Sequence, residues 1–319
     1  MKSWAIESRE TDVIPKMMEV EKPQVAAGCV LVEVKGSSLN PADLKVISGK
    51  DGGGFLHAAK VPIRLGFDFA GVVVEIAPGV SGLTVGQEVY GFLPYSSSTR
   101  QGALSQYVAA PAAQVGPKPR SLSFEQTASL CTAATTALLG LRDKGKIKAG
   151  QKVLINGASG GVGSMAIQMA KHFGAEVWAT SSAKNLEYVQ QLGADHAVDY
   201  RSTSLESLSG PFDIVFDVAS NAGYARGSKI LAPGGTYITL LPTPALLLGW
   251  VSSLFSSKAC RFVIAKSTRE DLGLIAQWVE EGWLKPCVES VFSFNEVPEA
   301  IERLRKQSPR GKIALSFKF

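Results

Sequence analysis

The sequence predicts an α/β protein, a β-rich N-terminal part followed by a doubly wound parallel sheet, and three observations carry that prediction. A glycine-rich strand, turn and helix occupies residues 151–171, QKVLINGASGGVGSMAIQMAK. Strands and helices alternate from there to about residue 241. Before it, as far as about residue 117, the chain shows only short β-type runs punctuated by glycine. At 319 residues the chain suffices for one or two buried cores.

In chain order, the early runs lie at 30–34, 71–76, 88–92 and 104–109, with Gly79, Gly82, Gly86 and Gly91 supplying turns. No long helical period interrupts them, and residues 96–99 read as a loop tip. Within 151–171, Val153, Leu154 and Ile155 suit a buried parallel strand, Gly157 breaks the run, and Gly160, Gly161 and Gly163 open a helix. Glycines let the backbone approach a pyrophosphate, and a helix N-terminus offers it unpaired N–H groups. Ser159, Gly160, Gly161, Val162 and Gly163 are therefore the expected cofactor contacts. An ordinary tight turn has the same local pattern, so context decides. A strand at 176–180, a helix at 184–192 stopped by Gly193 and a strand at 197–200 complete a βαβαβ half. A strand at 212–218, a helix at 222–231 and, after Pro233-Gly234, a strand at 235–241 continue it. The most apolar run, 245–255, is too short to span a bilayer. It is expected as a buried helix or a lining of the substrate cleft rather than a surface patch for a membrane or partner. Residues 312–317, after Gly311, read as a strand returning to the first part.

A hydrophobic share of 45% and a charged share of 19% suit a globular enzyme rather than a disordered chain. The net charge of +5 comes without a block of Lys and Arg, so no nucleic acid partner is expected. Cys29, Cys131, Cys260 and Cys287 have no CxxC spacing, which argues against a zinc cluster or a disulfide framework. The start, MKSWAIESRE, has no apolar signal region, and the expected location is cytoplasmic.

Four motifs in order, SLNPADLKVISG, LGFDFAGVVVEI, GASGGVG and RGKIAL, resemble the medium-chain dehydrogenase/reductase superfamily, in its quinone oxidoreductase branch, over essentially the whole chain. The resemblance implies a GroES-like catalytic domain, residues 1–117 and 285–319, around a Rossmann domain, residues 118–284. It also implies an active site in the cleft between them and a homodimer built through edge strands of the Rossmann sheets. In zinc members of the superfamily, cysteine and histidine hold a catalytic metal. Here the corresponding stretches read Ser38-Leu39-Asn40 and Gly66-Phe67-Asp68, and the lobe with four clustered cysteines is missing. Only His57, His172 and His196 occur, the latter two at positions suited to structural roles. No metal is expected.

By resemblance, Asn40 faces nicotinamide and substrate, Thr136 approaches the nicotinamide, and Lys45 stands where many quinone oxidoreductases carry tyrosine. An ammonium there can donate to a carbonyl or enolate oxygen. Lys45 equally fits a solvated loop edge, Asn40 a turn before proline, and Asp43 a structural role. Twenty residues past Gly161 lies Ser181, in a segment with hydroxyls and Lys184 but no acid. That favours NADPH over NADH. Related reductases use a serine, a basic residue and a tyrosine here, matched by Ser181, Lys184 and Tyr200. The expected activity is NADPH-dependent, zinc-independent hydride transfer to a small apolar electrophile, a quinone or α,β-unsaturated carbonyl. Reduction of enoyl thioesters and a non-catalytic, structural or RNA-associated NADPH-binding role are the alternatives.

Overall fold

The computed structural model describes residues 1–50, 52–240 and 244–318, with the side chains of 244 and 245 left aside. Two compact units divide the chain: Met1–Thr135 with Lys266–Phe319, and Thr136–Ala265. Residues 118–135 and 266–284 thus belong with the β-rich unit, whereas the sequence reading grouped them with the nucleotide-binding domain. One cause is visible at Gly116, where an added Cβ would lie 2.4 Å from Leu272 Cβ. Tyr90 adds a hydrogen bond of 2.7 Å to the Leu272 carbonyl.

The first unit runs through β1 (Lys2–Ile6), β2 (Lys16–Glu19), β3 (Cys29–Ser38), α1 (Pro41–Ser48), α2 (Gly53–Leu56), β4 (Ile63–Arg64) and β5 (Asp68–Ile76). It continues with β6 (Glu88–Phe92), β7 (Tyr107–Pro111), β8 (Val115–Pro117) and α3 (Phe124–Leu138), which crosses into the second unit. Its main sheet has the order β8, β6, β5, β3, then two C-terminal strands, with β7 also on β3. The long β3 pairs with β5 so that Ser38 stands opposite Asp68.

Helix α1 was not legible in the hydropathy pattern. It is short, and local chemistry sets its ends: Pro41 fits the first turn, Asp43 accepts the Asn40 N–H at 2.7 Å, and Gly49 closes it with φ of 67°.

The second unit holds β9 (Lys152–Asn156), α4 (Gly161–His172), β10 (Glu176–Ser181), α5 (Leu186–Gln191), β11 (His196–Asp199), β12 (Phe212–Asp217), α6 (Tyr224–Gly227), β13 (Leu231–Thr239), α7 (Pro244–Ser253) and β14 (Ala259–Phe262). All pairings are parallel, in the order β11, β10, β9, β12, β13, β14. Counted from β9 this is 3-2-1-4-5-6, which places the reversal of strand order between β9 and β12. Leu154, Phe212, Val215, Tyr224 and Tyr237 form part of the core on this sheet.

Two predicted elements differ. The helix expected at 222–231 is only α6 followed by a 3₁₀ turn. The strand expected from 235 begins at Leu231, because β13 absorbs Pro233-Gly234 where its register with β12 shifts between Phe212 and Ile214. The expected end of that strand at Leu241 lies outside the described residues.

The apolar run 245–255 forms most of α7, but its described part is not a buried helix. Leu248 is 73% and Phe255 89% exposed in the single chain, and α7 buries Gly249 and Ser253 instead. Hydropathy recorded the composition of that helix, not which face has a neighbour. No helix among the described residues is long and apolar enough to cross a membrane. The chain closes in the first unit with α8 (Arg269–Glu280), β15 (Val288–Ser293), α9 (Val297–Lys306) and β16 (Lys312–Ser316). As the sequence suggested, β16 returns to pair with β3.

Candidate active site

In the second unit the turn after β9 is shaped for a phosphate. Gly157 has φ of 87°, and a Cβ there would lie 3.0 Å from the Ala219 backbone. At Gly163 a Cβ would lie 2.4 Å from the Gly157 carbonyl, so α4 can pack on the strand only with glycine at that place. Gly160, the N-cap of α4, has no neighbour closer than 3.8 Å to a built Cβ. The cradle therefore opens at Gly160, beside the free N–H groups of the helix start. Behind it Asn156 donates to Asp217 at 2.7 Å and accepts from Thr180 at 2.6 Å, fixing the strand ends where the sheet order reverses.

The rim beyond β10 carries the predicted ribose-side residues. Ser181 is buried, and its hydroxyl has no hydrogen-bond partner. Its carbonyl accepts the Tyr200 N–H at 3.1 Å, so these two residues adjoin. Lys184 lies exposed in the 3₁₀ turn Ala183–Asn185, and Asn185 donates to Ser159 at 3.2 Å. Two residues escaped the sequence reading. Asp199 stands opposite Ser181 on β11, its carboxylate accepting the Arg201 N–H at 3.0 Å, and the Arg201 guanidinium lies 5.7 Å from the Tyr200 ring centre. The linear spacing rule looks along one strand and misses its neighbour. An orphaned buried hydroxyl, a glycine cradle and two cations fit a phosphorylated dinucleotide.

In the first unit the ends of β3, β5 and β16 bring together residues far apart in sequence. Asp68, fully buried, accepts hydrogen bonds from Ser38 at 2.7 Å, Asn40 at 2.8 Å, the Lys312 ammonium at 3.1 Å and the Thr132 N–H at 3.2 Å. The Thr132 hydroxyl also donates to it. Lys312 gives its other two protons to the Leu39 carbonyl and the Asn40 side-chain oxygen, both at 2.6 Å. A buried ammonium has three donors, and all three are used.

Asn40, the N-cap of α1, thus has its amide oxygen bonded to Lys312 and its amide nitrogen to Asp68, leaving one N–H for other work. Lys45 is half-buried in the middle of α1. Its backbone carbonyl takes the Gly49 N–H at 2.9 Å, and α2 packs closely enough that a Cβ on Gly53 would strike it. Thr136 is buried in α3 at the start of the second unit. Asp68, Lys312 and Thr132 form the network that sequence reasoning missed. The only signal was a carboxylate inside GFDFAG and a lysine inside RGKIAL.

Asp43 is buried beside this network with one oxygen unpartnered. Burial raises its carboxyl from 3.8 to about 7, the Asp68 charge adds to the rise, and the Asn40 N–H and Lys312 oppose it. The native state therefore holds a proton that the unfolded chain releases. The stabilisation from that proton is complete below about pH 3.8 and is lost as pH rises through about 7. Asp43→Asn keeps an acceptor for the cap but cannot ionise. It is expected to raise stability at pH 8 by roughly 1–3 kcal/mol and to leave it near wild type at pH 4, as measured by denaturant unfolding at the two pH values.

Among the described residues no group of three or more His, Cys, Asp or Glu is placed to hold a metal ion. His57 uses its ring nitrogens on the Ala58 and Gln101 carbonyls at 3.0 and 2.9 Å.

Comparison with known proteins finds two family models on the chain. Residues 26–120 match the alcohol dehydrogenase GroES-like domain, and residues 192–315 match a family model described as zinc-binding dehydrogenase. The chain is 34% identical to the 2-methylene-furan-3-one reductase of Solanum lycopersicum, over 99% of this chain and 79% of that one. It is 32% identical to the chloroplastic NADPH-dependent alkenal/one oxidoreductase of Arabidopsis thaliana, with the same shares covered. The structure of the quinone oxidoreductase from Coxiella burnetii superposes with a TM-score of 0.90 at 28% identity, over 100% of this chain and 99% of that one. With a GroES-like β unit, a Rossmann sheet and a nicotinamide-type cradle, the chain is an oxidoreductase of the medium-chain dehydrogenase/reductase family, in its quinone oxidoreductase branch.

Proposed function

We propose that the protein is an NADPH-dependent reductase of quinones and α,β-unsaturated carbonyls that works without a metal. The observation that carries the cofactor preference is the rim of the second unit. Ser181 offers an unpartnered hydroxyl, Lys184 and Arg201 offer cations, and the neighbouring Asp199 uses one carboxylate oxygen on the Arg201 N–H. When bound, NADPH supplies a hydride. Ser159 to Gly163 would hold its phosphates and Ser181, Lys184 and Tyr200 its adenosine side; Asn40 and Thr136 are proposed for its nicotinamide on the family resemblance alone. Relatives named for enone and alkenal reduction support the substrate class. Such acceptors are already electrophilic, so the residues have only to orient the substrate and stabilise the charge that grows on its oxygen. Lys45 does the latter. A small apolar substrate fits this task, and the exposed α7 beside the edge strand β14 supports a homodimer.

The deciding experiment follows NADPH oxidation against panels of quinones, enones and enoyl thioesters. Turnover of the first two supports the proposal. Turnover of thioesters alone selects the enoyl reductase reading, and tight NADPH binding with no turnover selects a structural role. Lys184→Ala is expected to weaken NADPH by ~1–3 kcal/mol and NADH far less. Fluorescence titration with both cofactors checks this, and equal weakening would show that Lys184 does not meet the 2′-phosphate.

A further inference from the structure

We propose that Tyr95 is the proton donor of the reaction, delivering its phenolic proton to the α-carbon of the substrate. The proposal deepens the enone reductase reading and rests on it. That reading leaves one need unmet, because hydride addition to a conjugated carbonyl gives an enolate that must still gain a proton. The buried network offers few sources. The Ser38 and Thr132 hydroxyls donate to Asp68, Lys312 spends all three protons on Leu39, Asn40 and Asp68, and Asp43 keeps its proton buried at the start of α1.

Tyr95 borders this cluster and, as a residue, is only partly buried. Its ring packs against Phe67 with ring centres 4.5 Å apart and against Phe92 at 6.1 Å. Its hydroxyl lies 3.5 Å from Thr132 Oγ1, at the loose limit of a hydrogen bond, so little is lost when the O–H turns to a better acceptor. Burial, and then the Asp68 charge, push the phenol well above its ordinary value, with the Thr132 hydrogen bond opposing. The O–H is therefore kept intact. The shared partners Thr132 and Asp68 join Tyr95 to Asn40, the residue assigned to the reacting end of the site.

The step balances as follows. With reduced cofactor bound, the β-carbon would gain a hydride and the π electrons would move onto oxygen as an enolate. The Tyr95 O–H bond then breaks, the enolate pair forms a C–H bond at the α-carbon, and the carbonyl is restored. The phenolate oxygen regains a proton from water that enters when product leaves. A quinone needs this less, because its hydroquinone anion is a weak base that water protonates after release.

Tyr95→Phe removes only the hydroxyl. Enone kcat is expected to fall 10- to 100-fold with quinone kcat within threefold of wild type and NADPH affinity unchanged. Binding of cyclohexane-1,3-dione, an enolate at neutral pH, is expected to weaken at least fivefold by calorimetry, a measurement that needs no turnover. Tyr95→His restores a donor beside Asp68, Asp43, Lys312 and Cys131. Its enone turnover is expected to rise as pH falls through the imidazole range while quinone turnover stays flat. Unchanged enone kcat and dione affinity in Tyr95→Phe, or equal loss with enone and quinone, would overturn the proposal. So would a Tyr95→His variant whose enone turnover does not respond to pH. If the wild-type protein reduces no enone, the functional reading fails instead, and dione binding alone decides on Tyr95.

Discussion

Replacing Lys312 by methionine is expected to cost about 3–5 kcal/mol of folding stability, because it strands a fully buried carboxylate. Asp68 keeps the hydrogen bonds of Ser38, Asn40 and Thr132, but none of these carries a charge to set against its own. The Leu39 carbonyl and the Asn40 amide oxygen lose their donor in the same change. Asp68→Asn should be milder, since Lys312 keeps the Leu39 and Asn40 oxygens as acceptors, although the new amide nitrogen faces donors at one of the two carboxylate positions. The double variant Asp68→Asn/Lys312→Met should be more stable than Lys312→Met alone, because the pair is a poor source of net stability although breaking it is expensive. Denaturant unfolding of the four proteins closes this cycle. A loss below about 1 kcal/mol in Lys312→Met would mean that water or a shifted side chain relieves Asp68, contrary to the tight geometry.

What the sequence reveals depends on whether the chemistry is local in the chain. The cradle from Gly157 to Gly163 is legible because strand, turn and helix are contiguous and each glycine answers a backbone demand that no other residue meets. The alternation of strands and helices follows for the same reason. The Asp68 network is the opposite case. Lys312 lies 244 positions from Asp68, and neither position shows a spacing rule. From the sequence, Asp68 registers only as a missing metal ligand, and Asn40 as a residue facing the nicotinamide by resemblance or a turn before proline. The fold gives that amide two charged partners and turns Asn40 into a residue held in one orientation, since Lys312 can bond only its oxygen and Asp68 only its nitrogen. Helix α1 was lost in the hydropathy pattern because its ends are set by caps. The outward face of α7 was misjudged because apolar composition does not say where a neighbour stands.

Lys45→Met is expected to lower kcat roughly 10- to 1,000-fold while leaving NADPH binding near normal, the range for losing one donor to a developing oxyanion. Lys45 sits on a helix whose position is well determined: Asn40 and Asp43 fix its start, Gly49 its end, and α2 packs on the Lys45 carbonyl. Its backbone therefore does not depend on its side chain, and methionine, of similar length, preserves the packing of the stem. What is removed is the ammonium, with its charge and its own contacts. Enones should suffer more than strongly oxidising quinones, because a quinone's own electron affinity leaves less barrier for the protein to lower. Lys45 and Tyr95 are separable in this respect. Lys45 acts while charge builds on oxygen, so its loss should persist for quinones in weakened form, whereas Tyr95 acts on the enolate after hydride arrival and should leave quinones nearly untouched. Steady-state kinetics with one acceptor of each kind, alongside NADPH titration, measures both effects. Unchanged kcat for the two acceptors in Lys45→Met would return Lys45 to a solvated position on α1 and leave stabilisation of the oxyanion to the remaining N–H of Asn40.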